Sequence, residues 1–164
     1  MKQAIKIAIV MVLMSCMTSV TFGQETEVEW VEETTDTKEV EWDIDVDNSV
    51  FKEYKKGHYM SEDKKSGMSV VLRDVSYKEM KAFHGTAMGG FDLIEAKEIE
   101  LNGNPFLFSK VEQNRGGYIY EIVSFIRAYG DDRVVEIGGA YDKEKSDIYF
   151  NIIKKAAASA KVNK

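Results

Sequence analysis

Residues 91–141, FDLIEAKEIELNGNPFLFSKVEQNRGGYIYEIVSFIRAYGDDRVVEIGGAY, decide the fold class of this chain. Runs rich in β-branched and aromatic residues alternate with short turn signals, of which Asn102-Gly103 is the strongest hairpin pair. Strands joined by such tight turns form an antiparallel meander. The predicted strands are Phe91–Leu101, Phe106–Gln113, Tyr118–Tyr129 and Arg133–Tyr141, with Pro105 opening the second and residues 114–117 and 130–132 forming the later turns.

A helix is predicted before this meander and another after it. Ser76 and Glu79 form a capping box, the signature of a helix start, and Gly89-Gly90 would end that helix. After the meander, Asp142 is a suitable cap for a helix from Lys143 to Val162. The inward-facing residues would be Met80, Phe83, Ala87 and Met88 in the first helix, and Ile148, Tyr149, Ile152, Ile153, Ala156 and Ala160 in the second.

The region before the first helix adds strands. Val40, Trp42, Ile44 and Val46 alternate with acidic residues, which predicts a half-buried strand, and Met68–Val75 predicts another. Between them, a short helix is expected to begin at Asn48 or Ser49, carry Phe51 and Tyr54, and end at Gly57. The predicted fold class is α+β: an antiparallel sheet, a four-strand meander plus one or more N-terminal strands, packed against a C-terminal helix and a second helix.

The first 23 residues have the layout of a secretory signal peptide. Lys2 and Lys6 precede an apolar run from Ile7 to Leu13, and Thr21 and Gly23 are small residues at the −3 and −1 positions of a cleavage site. This run is shorter than the roughly 20 apolar residues that a membrane span needs. We expect an exported protein, periplasmic or extracellular, with no transmembrane helix in the mature chain.

Cys16 offers an alternative. Residues 13–16, Leu-Met-Ser-Cys, resemble a bacterial lipoprotein box, in which the cysteine receives lipid and becomes the new N-terminus. Simple secretion with cleavage after Gly23 and a lipid anchor on Cys16 both remain open at this point. Cys16 is the only cysteine, so a chain cut after Gly23 has no disulfide and no thiol chemistry.

Charge divides the chain into three segments: a signal peptide (1–23), an acidic segment (24–47) and a single α+β domain (48–164). The net charge changes from −6 to −8 when residues 1–23, with two lysines and no acid, are removed. Residues 24–47 hold eleven acids and one lysine, and they form a strand or hairpin or stay partly disordered. This balance argues against nucleic-acid binding, which requires a basic face.

The order of elements resembles the C-terminal two thirds of the PsbP-like superfamily, which includes bacterial DcrB-like lipoproteins. The resemblance covers about residues 66–162. It is carried by Glu98–Pro105 at the first strand end and turn, Gly117–Tyr120 in the long strand, and Ile137–Tyr141 before the last helix. It implies an antiparallel sheet packed between helices, a non-enzymatic binding or assembly role, and no shared catalytic residues. A cystatin-like sheet with one wrapping helix is the competing fold.

Two histidines are candidates for chemistry. His84 lies near the predicted end of the first helix, and a hydrolase would need it beside a carboxylate such as Glu79 or Asp92. The more common alternative is a histidine that only packs against its helix. His58, beside Lys55 and Lys56, is expected to be a loop residue.

Three aspartates resemble the start of a calcium loop, because Asp43, Asp45 and Asp47 alternate. Asn48 stands where that loop needs glycine and Tyr54 where it needs glutamate, so a solvated acidic face is the expectation. No catalytic, cofactor-binding or metal-binding residue is assigned, and no cofactor is expected.

Glycines and tyrosines of the meander allow two interpretations each. Gly138-Gly139 predicts a β-bulge or, alternatively, the close approach of a partner. The tyrosines either line a ligand groove or fill the core between sheet and helix; they are Tyr118, Tyr120, Tyr129 and Tyr141.

The function predicted from these observations is a non-enzymatic binding or assembly module of the envelope, whose partner is an unknown protein or small molecule.

Overall fold

The computed structural model describes residues 42–86 and 90–162. The chain divides into a unit of residues 44–160 and a unit made of residues 1–43 and 161–164. In the latter, strands β1 (Trp42–Asp43) and β9 (Lys161–Val162) pair antiparallel. The strand expected over residues 40–47 is present only at Trp42–Asp43 among its described residues, because residues 44–47 have no regular structure. The signal region, Cys16 and the first part of the acidic segment lie outside the described residues.

A seven-stranded antiparallel sheet forms the larger unit, in the order β2-β3-β4-β8-β7-β6-β5. Two helices and a 3-10 turn accompany it, so the predicted α+β class is confirmed. The elements are β2 (Phe51–Lys55), β3 (His58–Ser61), β4 (Gly67–Arg73), α1 (Tyr77–Phe83), β5 (Asp92–Leu101), β6 (Asn104–Arg115), β7 (Tyr118–Tyr129), β8 (Arg133–Asp142), a 3-10 turn (Lys143–Lys145) and α2 (Ser146–Ser159).

The four-strand meander is confirmed as β5 to β8, with strand ends close to those predicted. Asn102 and Gly103 have φ angles of 50° and 74°, the left-handed conformations that a two-residue hairpin turn requires. Gly116 and Gly117, at 60° and 90°, do the same between β6 and β7. The residues of these short turns therefore determine how strands β5 to β8 pair.

The short helix predicted from Asn48 or Ser49 to Gly57 is wrong, because this segment is strand β2 and its turn. Phe51 is fully buried, and its ring centroid lies 5.5 Å from that of Tyr149 in α2. Gly57, with a φ of 74°, starts the return of the chain into β3. The segment is a strand because burying the Phe51 ring against α2 outweighs the local preference for a helix.

Alternation along the strands gives the sheet two faces, each covered by a helix. On the face that we call the α1 face, Val75, Tyr77 and Met80 pack against a buried cluster of Leu107, Ile126 and Val134. On the opposite face, called the α2 face, Phe108 and Phe125 contact Phe150 of α2. A helix on each face agrees with the PsbP-like expectation and not with the single wrapping helix of a cystatin-like fold.

Helix α1 begins as predicted and ends early. Ser76 Oγ accepts from the backbone N–H of Glu79, and the Glu79 carboxylate accepts from the N–H of Ser76. The helix ends at Phe83, before the predicted Gly89-Gly90, and Phe83 is exposed instead of facing inward. Ala87 and Met88 lie outside the described residues.

The C-terminal helix is shorter than predicted. Asp142 caps as expected, but its Oδ1 accepts from the N–H of Glu144 in a 3-10 turn, and α2 starts only at Ser146. The helix ends at Ser159, so Lys161 and Val162 belong to β9. Its buried residues are Tyr149, Ile153, Ala156 and Ala157, whereas Ile148, predicted to face inward, is 58% exposed.

Gly138-Gly139 is not a bulge. The pairing of β8 with β4 and with β7 runs through both glycines without a register shift. Instead, α2 approaches closely: a Cβ on Gly139 would overlap Cδ1 of Ile153 and lie 3.1 Å from the carbonyl oxygen of Gly67. Gly139 is therefore required by helix packing within the chain.

We predict that Gly139→Ala lowers the free energy of unfolding by about 2 kcal/mol, because the added methyl overpacks the buried contact with Ile153. Gly138→Ala is the matched control, since its Cβ would meet the carbonyl oxygen of Val123 at 3.4 Å, an ordinary contact. Urea denaturation of both variants measures the difference. Equal losses in the two variants would contradict the close approach of α2 as the cause.

Candidate functional site

A row of small side chains crosses the middle of the α1 face. Ser109, Ser124, Gly138 and Ser69 are consecutive cross-strand partners on β6, β7, β8 and β4. Beside this row, Ser124 Oγ donates a hydrogen bond of 2.8 Å to Glu136. This arrangement was not anticipated from the sequence, because it depends on the register of four strands.

Glu136 is neutralised within this face. The guanidinium of Arg73 donates to Glu136 Oε2 through both Nε and Nη2, and both side chains are mostly buried. A buried charge with a close partner and a second hydrogen bond is satisfied. This cluster therefore stabilises the sheet and offers no uncompensated group for chemistry.

A second buried carboxylate, Glu121, lies on the α2 face. It accepts from Ser146 Oγ and, at 3.0 Å, from Lys110 Nζ. Burial raises the pKa of Glu121, but the hydrogen bonds from Ser146 and Lys110 outweigh it and hold that pKa below the ordinary value. Tyr141, paired with Glu121 across β7 and β8, has its pKa raised by burial and by the Glu121 charge. The ionised carboxylate thus joins β6 and β7 to the start of α2.

We predict that Glu121→Gln lowers the free energy of unfolding by about 2–3 kcal/mol. This is less than the roughly 3–5 kcal/mol for a fully buried pair, because Lys110 keeps some access to water. Glu112→Gln is the matched control, since Glu112 bonds the more exposed Lys143 at 2.7 Å. Chemical denaturation measures both, and equal losses would contradict the role of burial.

The ion pair between Glu121 and Lys110 should make the stability of the protein depend on pH. Because the pKa of Glu121 is depressed in the fold, its stabilisation is present above the ordinary value of 4.5 and is lost as the pH falls below it. The wild type should therefore lose more stability on acidification below about pH 4.5 than Glu121→Gln does. If the free energy of unfolding depended on pH in the same way in both proteins, the depressed pKa of Glu121 would be contradicted.

Among the described residues, no hydrogen bond joins His84 Nε2 to Glu79 or Asp92, the carboxylates that the hydrolase interpretation names. The Glu79 carboxylate is engaged by Ser76, and the buried Nε2 of His84 has no hydrogen-bond partner among the described residues. His58 is the first residue of β3 and not a loop residue, which corrects the expectation. Burial and the nearby Lys55 lower the pKa of His58.

The aspartates of the calcium-like stretch have other partners. Asp45 forms an ion pair of 3.1 Å with Lys155 of α2, and Asp47 accepts from the N–H and hydroxyl of Ser49. Within residues 42–86 and 90–162, no three His, Cys, Asp or Glu side chains are grouped as a metal site requires.

The β6–β7 hairpin extends beyond both neighbouring strands. Strand β5 begins opposite Glu112, and β8 ends opposite Tyr120. Residues 114–119, which we call the hairpin arm, therefore project by roughly 7–10 Å at about 3.4 Å per residue. They form the pairs Asn114–Ile119 and Arg115–Tyr118.

Exposed apolar side chains gather on and beside the hairpin arm. Tyr118 is 63% exposed and Ile119 40%, and they point to opposite faces by strand alternation. Leu93 and Ile94, at the start of β5 near the base of the arm, are also exposed. Apolar side chains are therefore exposed on both faces of the arm and near its base, and Tyr118 is the most exposed of them.

The four tyrosines differ in burial, and one of them, Tyr141, fills the core as the second interpretation predicts. Tyr141 is fully buried and stacks on Tyr149 with 6.1 Å between ring centroids, so it fills the core between sheet and helix. Tyr120 is half-buried, and Tyr129 lies under the guanidinium of Arg133. Tyr118 alone of the four is largely exposed, a difference that strand alternation could not predict because it arises where the flanking strands end.

Comparison with known proteins supports the fold. LpqN, described as involved in cell envelope biogenesis of Mycobacterium tuberculosis, superimposes with a TM-score of 0.58 at 9% identity, over 80% of this chain and 88% of that one. A protein from Bacteroides thetaiotaomicron VPI-5482 gives 0.51 at 11% identity, over 75% of this chain and 42% of that one. Cyanobacterial PsbP (CyanoP) from Synechocystis sp. PCC 6803 gives 0.48 at 12% identity, over 74% of this chain and 82% of that one.

The predicted fold, an antiparallel sheet between two helices, is shared with LpqN and the Bacteroides protein. Identities of 9–12% show the fold alone and carry no activity to this chain. No protein-family model matches the sequence, and no curated protein matches it. None of the helices in the described part of the chain is long and apolar enough to cross a bilayer.

Proposed function

We propose that this protein is an exported, envelope-associated, non-enzymatic binding or assembly module that contacts a protein partner through its hairpin arm. The observation that carries the proposal is the exposure of Tyr118 and Ile119 on a hairpin that projects past both flanking strands. Large apolar side chains displayed in this way are typical of recognition surfaces.

The free energy gained by covering exposed side chains favours the arm as the contact site over other exposed positions. Covering a tyrosine or isoleucine contributes about 1.5–3 kcal/mol each, and tyrosine is among the residues that dominate interface energies. Leu93 and Ile94 add exposed apolar side chains near the base of the arm, whereas Tyr54 is exposed on β2, four strands away from β7 in the sheet order. The sheet holds the arm in register, so little conformational freedom is lost when a partner binds.

Envelope association is supported by two observations. The first 23 residues have signal-peptide layout, and LpqN, which shares the fold, is described as involved in cell envelope biogenesis. A lipid anchor on Cys16 stays a prediction of the sequence, and an intact mass that shows no lipid attached to Cys16 would contradict it.

We predict that a photo-crosslinking amino acid at position 118 captures one discrete partner in the native envelope. The matched control is the same amino acid at Tyr54, which is similarly exposed but lies on the edge strand β2. Adding Ile119→Ser should lower the yield at position 118 roughly tenfold, as for an interface residue contributing above 1 kcal/mol. Adducts of equal yield at both positions, or none at position 118, would overturn the proposal.

We further predict that His84→Ala leaves this adduct unchanged, because His84 does not belong to the arm and its Nε2 bonds no other described residue. Crosslinking from position 118 in the His84→Ala background measures this. A hydrolase that used His84 would instead lose turnover in this variant, so a hydrolytic activity of the wild type abolished by His84→Ala would contradict the non-enzymatic role.

A further inference from the structure

The two edges of the sheet carry opposite charge. Strand β5, at one edge, has four acidic residues and one lysine. Six strand spacings away, roughly 29 Å at about 4.8 Å each, strand β2 and the loop between β3 and β4 are rich in lysine. We call this second edge the lysine edge; it comprises Lys52, Lys55, Lys56, Lys64 and Lys65.

Residues 51–65 hold the five lysines of this edge against three acids, Glu53, Glu62 and Asp63, so the lysine edge has an excess of positive charge. All five side chains belong to exposed residues, and none forms an ion pair with another described residue. By contrast, Lys81, Lys97 and Lys110 are each bonded to a glutamate. Nearby acids are partly engaged: Glu53 accepts from the N–H of Gly57, and Asp63 pairs with Lys145.

An aromatic side chain lies within this edge. Tyr54 is 56% exposed, and its ring centroid lies 6.2 Å from that of His58. A tyrosine among lysines is the composition of a surface that meets a bilayer interface, where the ring enters the headgroup level and the ammonium groups stay near anionic headgroups.

We propose that the lysine edge docks this protein on an anionic lipid membrane, with strand β2 against the surface and the acidic β5 edge pointing away. The charge separation across the sheet orients the molecule, since a negative surface attracts one edge and repels the other. This docking is independent of the hairpin arm and of any lipid on Cys16.

Vesicle binding tests the proposal. All proteins carry Cys16→Ser, so a lipid anchor contributes nothing, and sedimentation compares phosphatidylcholine vesicles with a roughly two-to-one mixture of phosphatidylcholine and phosphatidylglycerol. We expect binding to the mixed vesicles only, with loss of binding at about 1 M salt, where charges are screened within a few ångströms.

The decisive variant is the triple substitution Lys52→Gln, Lys55→Gln and Lys56→Gln. Each lysine near an anionic surface contributes about fivefold in partitioning, so the variant should bind roughly 100-fold more weakly. The matched control, Lys78→Gln, Lys154→Gln and Lys161→Gln, makes the same charge change at exposed positions outside the lysine edge and should bind like wild type.

Three results would overturn membrane docking. They are equal binding to both vesicle types, equal losses in the two triple variants, and no binding of the wild type to the mixed vesicles. Reversible dimerisation in lipid-free solution, abolished by the decisive variant and unaccompanied by vesicle binding, would instead assign the lysine edge to the acidic β5 edge of a second copy. None of these results affects the crosslinking test of the hairpin arm.

Discussion

The antiparallel pairing of β6 with β7 is the constraint on which the rest of this structure depends. It continues without a register shift from Leu107–Ile126 to Arg115–Tyr118. Because side chains alternate between faces, a slip of one residue would exchange the aromatic α2 face with the serine-containing α1 face. The same ladder carries the hairpin arm beyond its neighbours, so the core and the displayed Tyr118 depend on one register.

The two buried carboxylates of this fold hold its elements together. Glu136 is held by Arg73 and Ser124 on one face, and Glu121 by Lys110 and Ser146 on the other. Each carboxylate joins elements distant in sequence, and its hydrogen bonds and ion pair satisfy its charge. Among the described residues, the exposed groups that carry our proposals lie on the periphery: apolar at the hairpin arm, basic at one sheet edge and acidic at the other.

Local chemistry explains which elements were predictable. The hairpin pair Asn102-Gly103 and the capping box of Ser76 and Glu79 act within a few residues, and both are present as expected. The segment 48–57 was assigned to a helix because its local pattern permits one, whereas the burial of Phe51 against Tyr149 makes it a strand. Likewise, Gly139 resembles a bulge in sequence, but Ile153 of α2 is what requires it.

The sequence by itself determined the antiparallel meander and the two helices, since turn residues, caps and alternation are local signals. Only the tertiary structure decided which tyrosine is buried and which is exposed, because Tyr141 stacks on Tyr149 of α2 whereas Tyr118 lies beyond the ends of the strands that flank it. The opposition of the basic and acidic edges also required the structure. Strand order, which no local signal encodes, places β2 and β5 at opposite ends of the sheet.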